Sequence, residues 1–342
     1  MDNSLLQPEE IQEMTGLTEN LLAQLDLLLL GRSELHRMVL IGILCRGHIL
    51  FEGLPGLGKT ELVRALGRIM HLDFKRVQFT PDLMPSDILG MYILQESIDG
   101  KREMIFQPGP IFSHILLADE INRASPKTQS ALLEAMQERS VTMMGTTRPL
   151  PDPFFVLASQ NPIELEGTYP LPEAQLDRFM FKLIVKDISA DVLEEIISTR
   201  RRGITPDPSW TMGIKELRQL FSAMERIVLP SHVSRYISHL VSSTHPTSSE
   251  TTEYVQNYII YGASPRAAIA IAEAARAHAL LSGRPTAGFE DVKAVAASVL
   301  NHRLILNYKA RIDRIDTMTI IENLLLELDC IELHLPDEVA IR

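Results

Sequence analysis

The chain has 342 residues, 45% of them apolar and 23% charged, with a net charge of −11. That length exceeds what one compact core usually takes, so two domains are the default. The acidic balance argues against a large exposed nucleic-acid surface. The two cysteines, Cys45 and Cys330, stand too far apart for a metal-binding spacing, which fits a reduced cytosol. The start, Met1-Asp2-Asn3-Ser4, lacks the basic region of a signal peptide. Leu25-Asp26-Leu27-Leu28-Leu29-Leu30 is too short to cross a bilayer and carries Asp26, so it reads as the inner face of a helix. A cytoplasmic protein without a membrane segment is expected.

In chain order, residues 8–30 read as one or two helices. Gly31-Arg32 interrupts the pattern, and Ser33 is placed to cap a helix through Leu44. His48-Ile49-Leu50-Phe51-Glu52 is a short apolar run that reads as a buried strand. It leads into Gly53-Leu54-Pro55-Gly56-Leu57-Gly58-Lys59-Thr60, which fits the phosphate-loop pattern G-x-x-x-x-G-K-[ST]. Residues 61–70 then carry apolar side chains at helical spacing. Strand, glycine loop and helix is the arrangement the chemistry needs. Glycines let successive backbone N–H groups turn toward phosphate oxygens, and the helix N-terminus adds partial positive charge. Lys59 is expected to reach the β- and γ-phosphates of ATP, and the Thr60 hydroxyl to ligate Mg²⁺. The nucleotide-binding set is Gly53, Pro55, Gly56, Leu57, Gly58, Lys59, Thr60 and Glu61.

Four more apolar runs read as strands: Phe74-Lys75-Arg76-Val77-Gln78-Phe79, Ile115-Leu116-Leu117-Ala118, Phe154-Phe155-Val156-Leu157-Ala158 and residues 179–185. Helical patterns separate them, notably over 127–139, so the fold class is α/β with a five-stranded, doubly wound parallel sheet. Asp99-Gly100 marks a hairpin turn between Tyr92-Ile93-Leu94-Gln95-Glu96 and Met104-Ile105-Phe106-Gln107. A second hairpin is expected from Ser140 through Gly145 to Arg148. Phosphate binding requires neither, so they are insertions near 88–110 and 140–150, either decorative or facing a partner or neighbour. From Ser189 the pattern turns helical: 189–202, then a Pro206-Asp207-Pro208 linker, then 213–226, 231–243, 249–260, 264–282 and 289–300. The expected division is a helical segment over 1–30, an α/β domain over 31–188 and an all-α domain over 189–342.

Asp119-Glu120 stands 60 residues after Lys59, at the end of an apolar strand. Loops at the C-terminal ends of parallel strands share one edge, which puts these carboxylates opposite the phosphate loop. Asp119 is expected to hold Mg²⁺, directly or through water, and Glu120 to polarise the attacking water. Asn161 ends the next strand and would hold that water from the other side; a plain Asn-Pro turn is the alternative.

Together these residues resemble the AAA+ ATPases, and the MoxR family within them. The resemblance is carried by 52–60, Phe79-Thr80-Pro81-Asp82-Leu83-Met84-Pro85-Ser86-Asp87, Ala118-Asp119-Glu120-Ile121-Asn122-Arg123-Ala124, Ala158-Ser159-Gln160-Asn161-Pro162, residues 171–179 and Gly262-Ala263-Ser264-Pro265-Arg266, and it covers roughly 30–305. The family often has alanine where Gly58 stands here. The resemblance implies an AAA+ P-loop sheet domain with a C-terminal helical lid. It also implies that Asp119-Glu120 is the Walker B pair, Asn161 sensor 1, Arg178 an arginine finger for a neighbouring subunit and Arg266 sensor 2 in the lid. The hairpins become the helix-2 insert and the hairpin before sensor 1. The implied activity is Mg²⁺-dependent ATP hydrolysis in a hexameric ring that remodels protein clients, often with a von Willebrand factor A-domain partner in metal-cofactor insertion or complex maturation.

A guanidinium at the γ-phosphate can accelerate hydrolysis by about 10³–10⁵-fold, which fits both arginine roles. For Arg178 the competing reading is a salt bridge with Asp177 or Glu173; for Arg266 it is solvation at a helix start, where a cation is disfavoured. Arg123 faces either solvent or a neighbour. Two rival functions remain open at this level: a ring-shaped nucleic-acid motor, which the acidic balance disfavours, and a nucleotide-gated scaffold, which the intact Glu120, Asn161 and Arg178 disfavour.

Overall fold

The computed structural model describes residues 6–54, 56–96, 102–162, 167–200 and 205–328. Helices α1 (Pro8–Leu28) and α2 (Ser33–Leu44) precede β1 (Ile49–Glu52), α3 (Lys59–Ile69) and β2 (Phe74–Gln78). A short α4 (Pro85–Leu89) leads into a hairpin of β3 (Gly90–Glu96) and β4 (Arg102–Pro108). Then come β5 (Ile115–Asp119), α5 (Pro126–Glu138), a second hairpin of β6 (Ser140–Met143) and β7 (Thr146–Pro149), β8 (Phe155–Gln160), α6 (Glu173–Leu176) and β9 (Phe181–Ile184). The rest is mainly helical: α7 (Ala190–Thr199), α8 (Ile214–Arg226), α9 (Ser231–Ser243), α10 (Glu253–Tyr258), α11 (Pro265–Leu281), α12 (Phe289–Leu300), α13 (Tyr308–Ile312) and α14 (Thr317–Glu327), with a small pair β10 (Ile259–Tyr261) and β11 (Ile305–Leu306).

The five expected strands form one sheet in the order β2-β5-β8-β1-β9, every neighbouring pair parallel. The near-continuous apolar sequences of β1, β5 and β8 follow from burial on both faces, whereas the edge strand β2 keeps only Val77 buried. Ile49, Phe51, Ile115, Leu117, Phe155 and Leu157 point into a core shared with α1, α2, α3 and the C-terminal helices. Leu50, Leu116, Ala118, Val156 and Ala158 point the other way, into a smaller core closed by α5. The strand period of two divides each run between these cores. Phe51 is fully buried, and burying a side chain of that kind stabilises by roughly 1.5–3 kcal/mol.

Local chemistry sets the helix starts near the site. Ser125 caps α5, accepting the Thr128 N–H, and Pro126 follows at the first helical position. The stretch read as one or two helices over 8–30 is the single helix α1, ending at Leu28, which packs against α2, α3, α8 and α11. The helix expected over 249–260 is shorter than that, because its end straightens into β10 to pair with β11.

Both hairpins form. The first leaves the sheet domain where Gly90, at φ +98°, lies against Gly109: a Cβ on Gly90 would sit 2.4 Å from the Gln107 carbonyl oxygen, and one on Gly109 2.2 Å from that of Ile88. Neither position accepts a side chain without moving the backbone. The turn at Asp99-Gly100 lies outside the described residues. Arg148 of β7 binds the two hairpins together. Its Nη2 donates to the Tyr92 hydroxyl at 2.9 Å, and its guanidinium lies 4.1 Å from the centre of the Phe106 ring.

Candidate functional site

The C-terminal edge of the sheet holds the phosphate loop. α3 begins at Lys59 behind Gly58, which takes φ +78°, and nothing lies within 4 Å of a Cβ built on Gly56 or Gly58. The loop thus leaves an open cradle bordered by the free N–H groups of a helix start, a geometry that suits phosphate. Lys59 is 9% exposed, and its Nζ donates to the Gly53 carbonyl oxygen at 2.7 Å. Burial pushes its ammonium below the ordinary lysine value, and the Asp119 and Glu120 carboxylates oppose that shift.

Gly56, Gly58, Lys59, Thr60, Glu61, Asp119, Glu120 and Asn161 line one cavity of about 320 Å³. Gly53 sits beside it, with Val185 and Leu57 packed against its α-carbon. Pro55 lies outside the described residues. The donor set of Thr60 and Asp119 has the hard oxygen chemistry that Mg²⁺ takes, next to a phosphate cradle.

Both acidic residues are already engaged. Asp119 Oδ1 accepts from Ser159 Oγ at 2.5 Å, while Oδ2 accepts from Arg76 Nη2 at 2.7 Å and Nε at 3.1 Å. Glu120 adopts the left-handed region at φ 56°, ψ 50°, which non-glycine residues seldom occupy and which clusters at functional sites. Its N–H donates to Ser159 Oγ at 2.9 Å. Its carboxylate accepts from Gln78 Nε2 at 2.7 Å and pairs with Arg123 at 3.2 Å. So the Arg123 side chain turns to its own Glu120. Arg76 and Gln78 were not among the expected site residues. They stand two apart on β2, hence on one face, and the register sets Gln78 opposite Asp119.

Arg178 and Arg266 lie elsewhere. With Arg46, Arg139 and Arg303 they line a second cavity of about 340 Å³, by the starts of β1 and β9. The four residues of β1, at about 3.3 Å each, separate that end of the sheet from the phosphate loop. Arg178 Nη1 donates to the Leu133 carbonyl oxygen at 2.8 Å. The Asp177 carboxylate is taken by others: Arg303 at 2.8 Å, Ser264 at 3.1 Å and, more loosely, Arg266 at 3.7 Å. Arg303 is 8% exposed and also donates to the carbonyl oxygens of Asp177, Val299, Phe179 and Met180. This cluster clasps the start of α11 to the segment before β9.

A third cavity, about 490 Å³, adjoins the phosphate loop through Val185 and is also lined by Gly31, Arg32, Lys182, Asn301 and Met318. No motif pointed to it, because its lining comes from four distant stretches of chain. Among the described residues, no helix is long and apolar enough to cross a membrane, and no group of three or more His, Cys, Asp or Glu could hold a metal ion.

Comparison with known proteins agrees with this architecture. Residues 48–181 match the family described as "ATPase family associated with various cellular activities (AAA)", and residues 252–324 match the AAA lid domain. The chain is 41% identical to Chaperone MoxR1 of Mycobacterium tuberculosis, over 90% of this chain and 80% of that protein. It is 32% identical to Protein MoxR of Paracoccus denitrificans, over 83% of this chain and 87% of that protein. A crystal structure of an ATPase candidate from Cytophaga hutchinsonii superposes with a TM-score of 0.85 at 40% identity, covering 94% of this chain and 97% of the other. With its sheet domain, its lid and these relatives, the chain belongs to the MoxR family of chaperone-like AAA+ ATPases.

Proposed function

We propose that this protein hydrolyses ATP with Mg²⁺ at sites shared between neighbouring subunits of a ring, and uses the cycle to remodel protein clients. The observation that carries the reading is the separation of two sets of groups. Lys59, Thr60, Asp119, Glu120 and Asn161 gather at one end of the sheet, while Arg178 and Arg266 gather at the other. A site complete within one chain would bring all seven together. A head-to-tail contact repeated around a ring would place the arginine end of one subunit against the phosphate loop of the next.

In this reading, Lys59 and the N–H groups at the start of α3 bind the β- and γ-phosphates. The base occupies the 490 Å³ cavity beside Val185. Thr60 and Asp119 would hold Mg²⁺, which would supply positive charge against the phosphates. Glu120 orients water for attack in line with the γ-phosphoryl group, with Asn161 steadying it. For that, the Glu120 carboxylate must leave Gln78 and Arg123. Arg178 and Arg266 of the neighbouring subunit meet the charge that develops on the γ-phosphoryl oxygens. The division into a helical segment 1–30, a sheet domain 31–188 and a lid 189–342 is part of the same proposal, as is a hexameric ring.

The client reading rests on the chaperone relative and on the exposed apolar side chains of the hairpins, among them Leu94, Met104 and Met144. We assign those surfaces to protein contacts, with a von Willebrand factor A-domain protein as partner and metal-cofactor insertion or complex maturation as the task. Phosphate release from ATP and Mg²⁺ tests the enzymatic part. Turnover that DNA leaves unchanged supports the reading; turnover that requires DNA turns it toward a nucleic-acid motor, and none in assembled protein toward a scaffold. Pull-down of such a partner in ATP but not ADP supports the client assignment, because a nucleotide shifts a partner equilibrium only through differential contacts. Its absence in every nucleotide state overturns that partner class.

A further inference from the structure

We propose that Arg76 is a resident cation at the metal-binding carboxylate, and that it sets how much Mg²⁺ the protein needs to bind nucleotide tightly. The inference rests on the nucleotide site proposed above and assigns that site a residue outside its expected set.

Three observations carry it. First, Arg76 lines the same cavity as Lys59, Thr60 and Asp119, although it belongs to the edge strand of the sheet. Second, it places two N–H groups, Nε and Nη2, on a single oxygen of Asp119. The other oxygen accepts from Ser159, so each oxygen of Asp119 already has a donor. Third, Nη2 also donates to Gln78 Oε1 at 2.8 Å, and Gln78 in turn holds Glu120. The guanidinium is therefore fixed at the metal ligand and linked to the water-polarising carboxylate through one side chain.

Two cations held at one carboxylate repel each other. Entry of Mg²⁺ at Asp119 must displace Arg76 or work against its charge. Without Mg²⁺ the same guanidinium is useful: it neutralises Asp119, which would otherwise repel the phosphates. Arg76 thus supports metal-free nucleotide binding and opposes metal binding. Its removal should move the two in opposite directions, a pattern that general loosening of the site does not produce.

The test is calorimetric titration of ADP into wild-type protein, Arg76→Gln and Arg76→Lys, first in EDTA and then across a MgCl₂ series. Arg76→Gln should bind ADP more weakly than wild type in EDTA. It should also need less Mg²⁺ for half-maximal enhancement, by about 5-fold or more, the lower end of usual coupling between sites. Arg76→Lys keeps a cation on the strand and should stay nearer to wild type in both. The proposal is overturned if Arg76→Gln weakens binding in both conditions, if its Mg²⁺ midpoint is unchanged or higher, or if Arg76→Lys matches Arg76→Gln. Wild-type protein that binds no ADP in either condition overturns the nucleotide site itself, a result distinct from the others.

Discussion

At the scale of single residues, each site group has a separable consequence. Glu120→Gln keeps the shape and loses the charge proposed to polarise water. It should still bind ATP with Mg²⁺ while turnover falls by about 10²–10⁴-fold, the usual contribution of a positioned acid–base group. Single-turnover phosphate release checks this, and near wild-type rates would remove Glu120 from the catalytic role. Lys59→Ala should instead lose affinity, because the phosphates would lose a largely buried cation; an unchanged ATP isotherm would contradict that. A pH effect follows from His48. Burial holds its imidazole down from 6.5 to about 4, against the donation to Met136 that favours the charged form. The unfolded chain therefore binds a proton that the folded one refuses. The stability is present above pH 6.5 and is lost as pH falls through the window from there to about 4. Its size is on the order of 3 kcal/mol. Urea midpoints measured down this window should fall less steeply in His48→Gln; parallel slopes would assign the acid sensitivity elsewhere.

At the scale of elements, the clasp between lid and sheet is the most exposed to test. Asp177→Asn would leave Arg303 buried among carbonyl oxygens without its counter-charge. Such unpaired buried ions cost about 3–5 kcal/mol. Chemical denaturation should register a loss of that order, and a change below about 1 kcal/mol, within the range of exposed pairs, would show the clasp to be dispensable. The hairpins offer a second case. Arg148→Ala removes the hydrogen bond to Tyr92 and the cation over Phe106. Amide exchange in β3 and β4 should rise while β1 and β5 stay protected; unchanged exchange would mean that the hairpins do not depend on each other.

The same elements show how much a sequence discloses. β1, β5 and β8 are legible because both faces are buried, so each is apolar up to the polar residues at its C-terminal end, where the site lies. The phosphate loop is legible because its residues are contiguous and its spacing is imposed by phosphate. α13 and α14 lie beyond the last helix expected from the sequence, and Asn307 and Asp316 cap them. The short β10–β11 pair has no periodicity of its own; it is held by docking of α10 and α13. Arg76 and Gln78 belong to no motif in the sequence. Only the strand order, which sets β2 beside β5, turns them toward Asp119 and Glu120. The arginine cavity is invisible for the same reason, since Arg46, Arg178, Arg266 and Arg303 meet only in the folded chain.

At the scale of the whole molecule, the central claim is that the catalytic arginines serve the neighbouring subunit. If Arg178 worked within its own chain, activity per chain would not depend on concentration. Across an interface, activity should rise as rings assemble, and hydrolysis measured against dilution checks that. The most direct measurement mixes two variants: Lys59→Ala, whose own pocket is lost, and Arg178→Ala, whose arginine is lost. Each alone should be inactive. In co-assembled mixtures some interfaces join an intact Lys59 pocket to an intact Arg178, so ATP hydrolysis should reappear. No recovery despite demonstrated co-assembly, or full activity of Arg178→Ala alone, would contradict a site shared between subunits.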